Sequence, residues 1–379
     1  MRFLLLLFVT LLLTCCTNSS KTMDADHVKT LNVDLQKKAD PFEELFSKAE
    51  IIPLETTDSC LLVYMEKVFP IGDSYYIYDF WLQRLLQFGR DGKFKQRIGK
   101  PGNGPGEYLS MYDCCIDSVG NEINYIGIFG KIWQYDLAGN FKKSYDLPTR
   151  PHYYSAEIVD DNHICTWTCL AKDEDCILVI DEHTGDSING GWNDDRVFNH
   201  QMEHPFYRYD GKCYYSIGLR PEVYEVTTTG LQHAYTWNFG RDNIKQERLD
   251  YYLSIENDTE RNNTIIDDIG TSSLPFILKR QKQNNTYCYI ALQRNTAMRP
   301  QLTHVFYNKQ ADKSIVFDNL SDDCPLFYPL YFGDEYMLSD VILDYKESYK
   351  SVLSEEDYQK LMAMSEDDNP CLIKLYFKK

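Results

Sequence analysis

The sequence has few basic residues relative to its acidic ones. Its 39 Lys and Arg stand against 57 Asp and Glu, which gives a formal charge of −18 over 379 residues. Nucleic-acid binding and polybasic membrane contacts both need clustered Lys and Arg to meet phosphate groups. The composition therefore argues against both classes of partner.

The sequence also lacks the short motifs of common enzymes and cofactor sites. The stretch "IGKPGNGPGEY" at 98–108 is rich in glycine, but its spacing fits neither a dinucleotide loop nor a P-loop. No Gly-x-Ser-x-Gly elbow occurs, and Gln201 follows His200 where a zincin requires Glu. We expect no cofactor and no bound metal ion, and we interpret His200 and His204 as residues of a surface loop.

Metal-ligating residues come closest together at 163–176, in His163, Cys165, Cys169 and Cys176. Their spacing fits no zinc pattern, so we interpret the cysteines as buried free thiols. Ten of the 12 cysteines lie beyond the N-terminal pair. An even number in a compartment that permits disulfides leaves their pairing open.

The apolar run at the N-terminus is too short to span a bilayer. It extends from Phe3 to Leu13 after a basic start, which is the length of a secretory signal core. The following Thr14-Cys15-Cys16 resembles a bacterial lipobox, in which the cysteine after the cleavage site carries a lipid. We expect residues 1–15 to be a signal peptide and Cys16 to be lipidated; Cys15, or an ordinary cleaved signal, is the alternative. Residues 16–40 are polar and predict a flexible tether.

A repeat with a period in the forties follows this segment. "LQFGRDGKFK" at 86–95 aligns with "WQYDLAGNFK" at 133–142, an offset of 47. Glycines at 92, 139, 185 and 230 continue the repeat in steps of 47, 46 and 45. Short β-rich segments at this period are typical of four-stranded propeller blades. Residues 303–318 indicate a fifth unit.

The two ends of the chain are expected to complete a sixth blade. "CLIKLYF" at 371–377 lacks an outer strand, and "AEIIPLE" at 49–55 can supply it and remove an exposed sheet edge. Helical periodicity interrupts the repeat at 243–260 and after Ser354. The sequence thus predicts an all-β, six-bladed β-propeller over residues 41–379. It should have four-stranded antiparallel blades, a split closing blade and two short helical insertions.

The run from Tyr75 to Tyr108 resembles the NHL type of propeller repeat. The resemblance rests on the Asp79 and Arg84 pair, an Asp-Gly turn and the ending Gly-Pro-Gly-Glu-Tyr. The mature chain resembles the six-bladed, TolB-like β-propeller lipoproteins of Gram-negative gut anaerobes, a family of unknown function. This resemblance implies the fold and a place in the cell envelope, at the outer membrane. It implies no catalytic residue.

In such a propeller the glycine-rich stretch lies at the crossing between the first two blades. We interpret it as a structural loop in which glycines allow the backbone path and the last two residues tie the loop to its neighbour. Direct contact with a ligand is the alternative. The residues concerned are Gly102, Gly104, Gly106, Glu107 and Tyr108.

Connections between the two middle strands of a blade emerge on the same face as the crossings between blades. That face is the binding face in the folds this chain resembles, and it should carry Trp81, Lys131, Arg220, Arg294 and Arg299. The cations could bind an anionic ligand beside Trp81 as a stacking surface. The alternative is that they pair with acidic residues such as Asp173 and Glu174 across the rim.

These observations favour a cell-envelope lipoprotein that acts without catalysis as a binding or scaffold propeller, for a glycan or an envelope protein partner. No catalytic constellation emerges from the spacing of residues. The alternative is a hydrolase or lyase acting on a carbohydrate or a peptide, with its acid and base on different blades. We expect a monomer that contacts the membrane through its lipid anchor alone.

Overall fold

The computed structural model describes residues 28–150, 152–168, 175–191, 204–216, 218–294, 301–318, 328–341 and 343–379. Two strands near the start of this region pair with distant parts of the chain. They are β1 (Lys29–Asn32) and β2 (Phe46–Ile52), and the short helix α1 (Pro41–Glu44) separates them.

The strands that follow form six sheets arranged as the blades of a propeller. Blade 1 holds β3 (Met65–Ile71), β4 (Ser74–Asp79), β5 (Arg84–Gly89) and β6 (Phe94–Ile98). Blade 2 holds β7 (Asp113–Asp117), β8 (Glu122–Gly127), β9 (Lys131–Tyr135) and β10 (Phe141–Asp146). Blade 3 holds β11 (Ser155–Asp160), β12 (His163–Trp167), β13 (Ile177–Asp181) and β14 (Ser187–Gly191).

The other three blades use the same antiparallel order. Blade 4 holds β15 (Phe206–Tyr209), β16 (Lys212–Ser216), β17 (Glu222–Thr227) and β18 (Gly230–Asn238). Blade 5 holds β19 (Ile277–Gln283), β20 (Tyr287–Gln293), β21 (Leu302–Asn308) and β22 (Lys313–Asp318). Blade 6 holds β23 (Tyr331–Phe332), β24 (Tyr336–Val341) and β25 (Cys371–Phe377), with β2 as its outer strand. The predicted six-bladed all-β fold is confirmed.

The split closing blade is confirmed by the register of β2 and β25. Glu50 lies opposite Lys374 and Ile52 opposite Leu372 in an antiparallel ladder. The outer strand begins at Phe46 and ends at Ile52, three residues earlier than the sequence predicted. Pro53 explains the shift, because proline has no N–H to continue a ladder.

Three of the repeated glycines lie in the turns between the third and fourth strands, and Gly230 is the first residue of the fourth strand in blade 4. Gly92 and Gly185 both have a φ of 79°, a left-handed conformation that glycine adopts readily. A Cβ atom at Gly92 would lie 2.0 Å from the carbonyl oxygen of Pro53 in the preceding blade. The repeat at this position therefore marks both a turn type and a close contact between blades.

Residues 28–40 do not form the tether that their polarity suggested. Strand β1 pairs in parallel with Tyr235–Asn238 at the outer edge of blade 4. Leu31, Val33 and Leu35 are buried against that blade and blade 5. These three residues alternate at a period of two, a short strand pattern within a mainly polar segment.

The predicted helical insertions are also confirmed. The first contains α2 (Gln246–Ser254) and α3 (Asp258–Gly270), joined by a 2.9 Å ion pair between Arg248 and Asp268. The second contains α4 (Glu355–Met362), where the Ser354 hydroxyl accepts a 3.1 Å hydrogen bond from the Asp357 amide. No helix among the described residues is both long and apolar enough to cross a membrane.

We predict that Leu31→Ala lowers the free energy of unfolding by about 2–4 kcal/mol, because it leaves a cavity beneath β1. The Leu31 side chain is only 1% exposed. Thr30→Ala, on the exposed side of the same strand, should change stability by no more than about 0.5 kcal/mol. Chemical denaturation of both variants measures the difference. Equal stability of the two variants would show that β1 is not docked in solution.

Candidate functional site

We call the end of the propeller at which the innermost strands begin the connection face. Trp81 lies there between β4 and β5, Lys131 at the start of β9, Arg220 between β16 and β17, and Arg294 after β20. The antiparallel order of each blade brings these four positions to the same face. Arg299 lies outside the described residues, as do Asp173 and Glu174.

Two of the cations on the connection face contact their own blades. The Lys131 ammonium lies 3.5 Å from the carboxylate of Asp146, on the neighbouring outer strand. Arg294 Nε donates a 2.7 Å hydrogen bond to the Thr303 hydroxyl, which in turn donates to Asp318 at 2.6 Å. Their charges are thus partly engaged within the fold, which weakens the hypothesis of a purely cationic rim.

Aromatic side chains form a continuous series across blades 1 to 3 on this face. Ring centroids lie 5.5 Å apart for Phe80 and Trp81, 5.4 Å for Phe80 and Tyr112, and 5.3 Å for Tyr112 and Tyr154. Further contacts at 5.8, 6.1 and 6.3 Å extend the series. We call this series the aromatic belt; its members are Phe80, Trp81, Tyr112, Phe129, His152, Tyr154 and Trp167.

The two most exposed rings of the belt occupy equivalent positions in successive blades. Trp81 follows the last residue of β4 by two positions, and Phe129 follows the last residue of β8 by two. Their side chains are 67% and 80% exposed. Large aromatic side chains that the fold exposes to water at the same position in two blades are candidates for ligand contact.

Asp79 fixes the connection that carries Trp81. Its fully buried carboxylate accepts hydrogen bonds from the backbone amides of Leu82 at 3.0 Å and Val63 at 2.7 Å. Arg84 lies opposite Asp79 in the strand register, as the sequence suggested. The carboxylate thus bonds to backbone groups and holds the connection in one conformation beside the start of β3.

Charged side chains meet on the propeller axis at the same end. Arg280 donates a 2.7 Å hydrogen bond to the carboxylate of Glu66, and His204 Nε2 contacts the same carboxylate oxygen. These residues come from blades 5 and 1 and from the segment that leads into blade 4. Blades 1 and 4 lie opposite each other in a ring of six, so the contact between them crosses the axis.

β-Bulges direct Glu66 and Arg280 toward the axis. The register of β3 shifts between Met65 and Lys67, and that of β19 shifts between Lys279 and Gln281. Each buried ion is therefore the extra residue of a bulge on an innermost strand. Bulges re-aim side chains in this way, and no local sequence motif announces them.

Glu66 and Lys67 on the axis each lie beside groups of opposite charge. Burial alone would raise the pKa of Glu66, but the charges of Arg280 and His204 outweigh it and lower the pKa to about 2. Lys67 forms a 2.6 Å ion pair with the buried Asp113 of blade 2. Asp113 also accepts hydrogen bonds from Ser155 Oγ at 2.9 Å and the Ala156 amide at 3.0 Å in blade 3. This network joins blades 1, 2 and 3 around the axis.

The cavity beside this network is small. Its volume is about 20 Å³, enough for a water molecule, and Glu66, His204, Arg280 and Lys282 are among its lining residues. His204, expected in a surface loop, instead lies mostly buried on the axis, so that expectation was wrong; His200 lies outside the described residues. The chain reaches the axis at His204 because this segment enters the innermost strand of blade 4.

The His, Cys, Asp and Glu side chains of the described ranges do not indicate a metal centre. No three His, Cys, Asp or Glu side chains of those ranges come together in a way that could hold a metal ion. The eight cysteines of the described ranges are buried and form no disulfide with one another, as the buried-thiol interpretation of Cys165 and Cys176 predicts. Cys169 lies outside those ranges.

The glycine-rich loop packs against blade 2. Glu107 accepts a 2.8 Å hydrogen bond from the Gly104 amide and pairs with Lys100 at 2.7 Å. A Cβ atom at Gly102 would lie 2.0 Å from the Glu107 carboxylate. Tyr108 donates to the Gln83 carbonyl at 2.9 Å, and Tyr135 of blade 2 donates to the Gly106 carbonyl at 3.0 Å. These contacts place the loop between the first two blades.

Fold and surface together define a six-bladed β-propeller with an aromatic belt on its connection face. The chain belongs to the family described as domain of unknown function DUF4934, which matches residues 28–376. No protein of curated function matches the sequence.

Two solved structures are similar to the chain. A protein of Bacteroides fragilis described as exported shares 18% identity at a TM-score of 0.74. The match covers 93% of this chain and 100% of that one. A member of the DUF4221 family from Bacteroides vulgatus shares 11% identity at a TM-score of 0.57, covering 88% of this chain and 98% of that one. At these identities the likeness concerns the fold.

Sequence reasoning found Trp81 but missed the rest of the belt and the axial network. A signal for the belt does exist in the repeat. Tyr112 and Tyr154 of the belt directly precede the innermost strands of blades 2 and 3, and Tyr64 holds the same position in blade 1. The axial residues have no such signal, because their positions depend on bulges.

We predict that Glu66→Gln lowers the free energy of unfolding at pH 7 by about 3 kcal/mol, because it leaves buried cations without their counter-charge. Because the pKa of Glu66 is lower in the folded protein than in the unfolded chain, the ionised carboxylate stabilises the fold above the unfolded pKa. This stabilisation is lost as the pH falls toward the folded pKa. The difference from wild type should therefore shrink between pH 4.5 and about 2. Denaturant titrations across this range measure it.

The exposed Glu335→Gln in blade 6 is the matched control and should leave the stability nearly unchanged. A pH-independent difference between Glu66→Gln and wild type would contradict the assigned role of the carboxylate.

Proposed function

We propose that this protein is a non-catalytic binding propeller of the cell envelope whose connection face takes a glycan. The observation that carries the proposal is the exposure of Trp81 and Phe129 at equivalent positions of the aromatic belt. Aromatic rings bury the flat apolar faces of sugar rings while hydroxyl groups stay in water, and Trp and Tyr suit such half-wet contacts. Neighbouring blades offer two such platforms to successive sugar units.

The axial network favours binding over catalysis. Its carboxylates, Glu66 and Asp113, are engaged by cations and backbone or hydroxyl donors, as structural ions are. A cavity of about 20 Å³ cannot admit a sugar unit. A hydrolase or lyase would need an acid and a base that reach a substrate, so this alternative finds no support on the axis.

The cations of the connection face have a secondary role in this proposal. Lys131 and Arg294 keep contacts within their blades, and they would strengthen binding only where a ligand carries a negative charge. Arg220 and Arg299 belong to the same set of candidates. An envelope protein with an apolar surface is the other partner that the belt could accept.

We predict that Trp81→Ala and Phe129→Ala each weaken glycan binding about fivefold, since a stacking contact contributes about 1 kcal/mol. Both residues are exposed, so the variants should fold as wild type does. A glycan array followed by isothermal titration calorimetry with the best ligand measures the effect.

Val119→Ala is the control for this test, because Val119 is 90% exposed in the turn between β7 and β8, at the opposite end of the propeller. It should bind the glycan as wild type does. Unchanged affinity of both belt variants, or a wild-type protein that binds no glycan on the array, would refute the glycan proposal.

The envelope location rests on the N-terminal signal and its lipobox, which lie outside the described residues. A structural neighbour described as exported supports it. We predict that Cys16→Ala releases the protein from the membrane fraction, because acyl chains supply the membrane affinity. Fractionation with immunoblotting measures this. If Cys16→Ala stays in the membrane fraction while Cys15→Ala is released, the lipid is attached to Cys15. If both variants stay in the membrane fraction, neither cysteine is the anchor.

A further inference from the structure

A cleft of about 630 Å³ lies between blade 6 and blade 1, toward the turns opposite the connection face. The cleft lies at the outer end of the apolar interface between these two blades. In β25, Leu372 is buried between the blades and Lys374 follows on the same side of the strand. In blade 1, Phe88 is buried there and Arg90 follows in the same way. The alternation of each strand thus brings one cation to the cleft.

Arg90 is held in a fixed orientation. Its guanidinium stacks 4.5 Å from the ring centroid of Tyr75 and donates to the Gly72 carbonyl at 3.0 Å. A further N–H lies 3.3 Å from the Tyr336 hydroxyl on blade 6. The side chain therefore bridges the two walls of the cleft, and its orientation is set before any ligand arrives.

Lys374 lies on the opposite wall beside the same tyrosine. Its ammonium is 4.1 Å from the ring centroid of Tyr336 and 4.6 Å from that of Tyr376. Tyr336 is thus in contact with both cations and brings them close together. Burial lowers the pKa of Lys374; Glu50 opposes this shift and the charge of Arg90 reinforces it.

The acidic residues of the cleft form their direct ion pairs with lysines other than Lys374. Glu50 pairs with Lys48 and accepts a 2.6 Å hydrogen bond from the Tyr376 hydroxyl. Glu356 and Asp357 pair with Lys360 at 2.8 and 3.2 Å. Among the described residues, no carboxylate lies within 4.0 Å of the charged groups of Arg90 or Lys374. Glu50 lies opposite Lys374 in the strand register and partly offsets its charge, but neither cation forms a direct ion pair with a carboxylate of the described residues.

A carboxylate placed between the two cations would accept charge-assisted hydrogen bonds from both and relieve their repulsion. The tyrosine ring beside them offers an apolar face to the rest of the ligand. A cleft of this volume suits one or two sugar units. We propose that the cleft binds a sugar acid, with its carboxylate between Arg90 and Lys374 and its ring against Tyr336. This site is separate from the connection face and does not depend on the function proposed for it.

The test is a calorimetric titration of the full mature chain with digalacturonate and with its methyl ester. Wild type should bind the acid at least tenfold more tightly than the ester, and more weakly at high salt. Lys374→Met keeps the apolar stem of the side chain and should lose this preference. Arg90→Gln should do the same, and Lys374→Met carries the test if Arg90→Gln fails to fold.

Lys95→Met is the matched control, since Lys95 pairs with Asp73 on the surface of blade 1, away from the lining of the cleft. It should bind as wild type does, and so should Trp81→Ala. Equal binding of acid and ester, unchanged binding by Lys374→Met, or loss of binding in Trp81→Ala would overturn the proposal. Inorganic phosphate that competes at the same affinity as digalacturonate would also overturn it, because the site would then recognise charge alone.

Discussion

The pairing of β2 with β25 is the constraint on which the rest of the structure depends. It joins residues 46–52 to residues 371–377, and so closes a ring of sheets that would otherwise end in two exposed edges. Closing so long a loop costs conformational entropy, which only a complete ladder and the core behind it can offset. The same pairing sets blade 6 against blade 1. Every contact that spans those blades, including the cleft beside Tyr336, follows from it.

Closure also creates the problem that the axis must solve. Six innermost strands converge there with little room, and the chain fills the space with ions. A buried ion pair seldom adds net stability compared with apolar packing, but removing one partner is costly. Glu66 contacts blades on opposite sides of the ring, so its geometry can be satisfied only when all the blades are in place. We interpret the axial network as a device that specifies one arrangement of blades, and this leaves ligand contact to the outer surfaces.

The period of the repeat was enough to predict the fold, because glycine turns and aromatic strands recur at a fixed spacing whatever the tertiary contacts. The split blade followed from counting strands. The docking of residues 28–40 was missed because their three buried positions, Leu31, Val33 and Leu35, lie within a mainly polar segment and are identified only by their packing against the propeller. Trp81 was found because the blade topology fixes where its connection emerges. Glu66 and Arg280 were not, since a bulge changes the direction of a side chain without changing the local sequence pattern.

A ring of similar units gives each structural position several copies, and each copy can carry a different chemical group. The position two residues after the second strand holds Trp81 in blade 1 and Phe129 in blade 2, whose backbones follow the same antiparallel path. A second example lies at the outer end of the interface between blades 6 and 1. There Arg90 and Lys374 follow buried apolar residues on the same face of their strands. In both places the backbone path is set mainly by packing elsewhere, so the fold constrains the identity of the side chain less than it does in the core. The surfaces with the greatest chemical freedom are therefore those away from the buried ladders and the axis, and the aromatic belt and the cleft beside Tyr336 both lie on such surfaces.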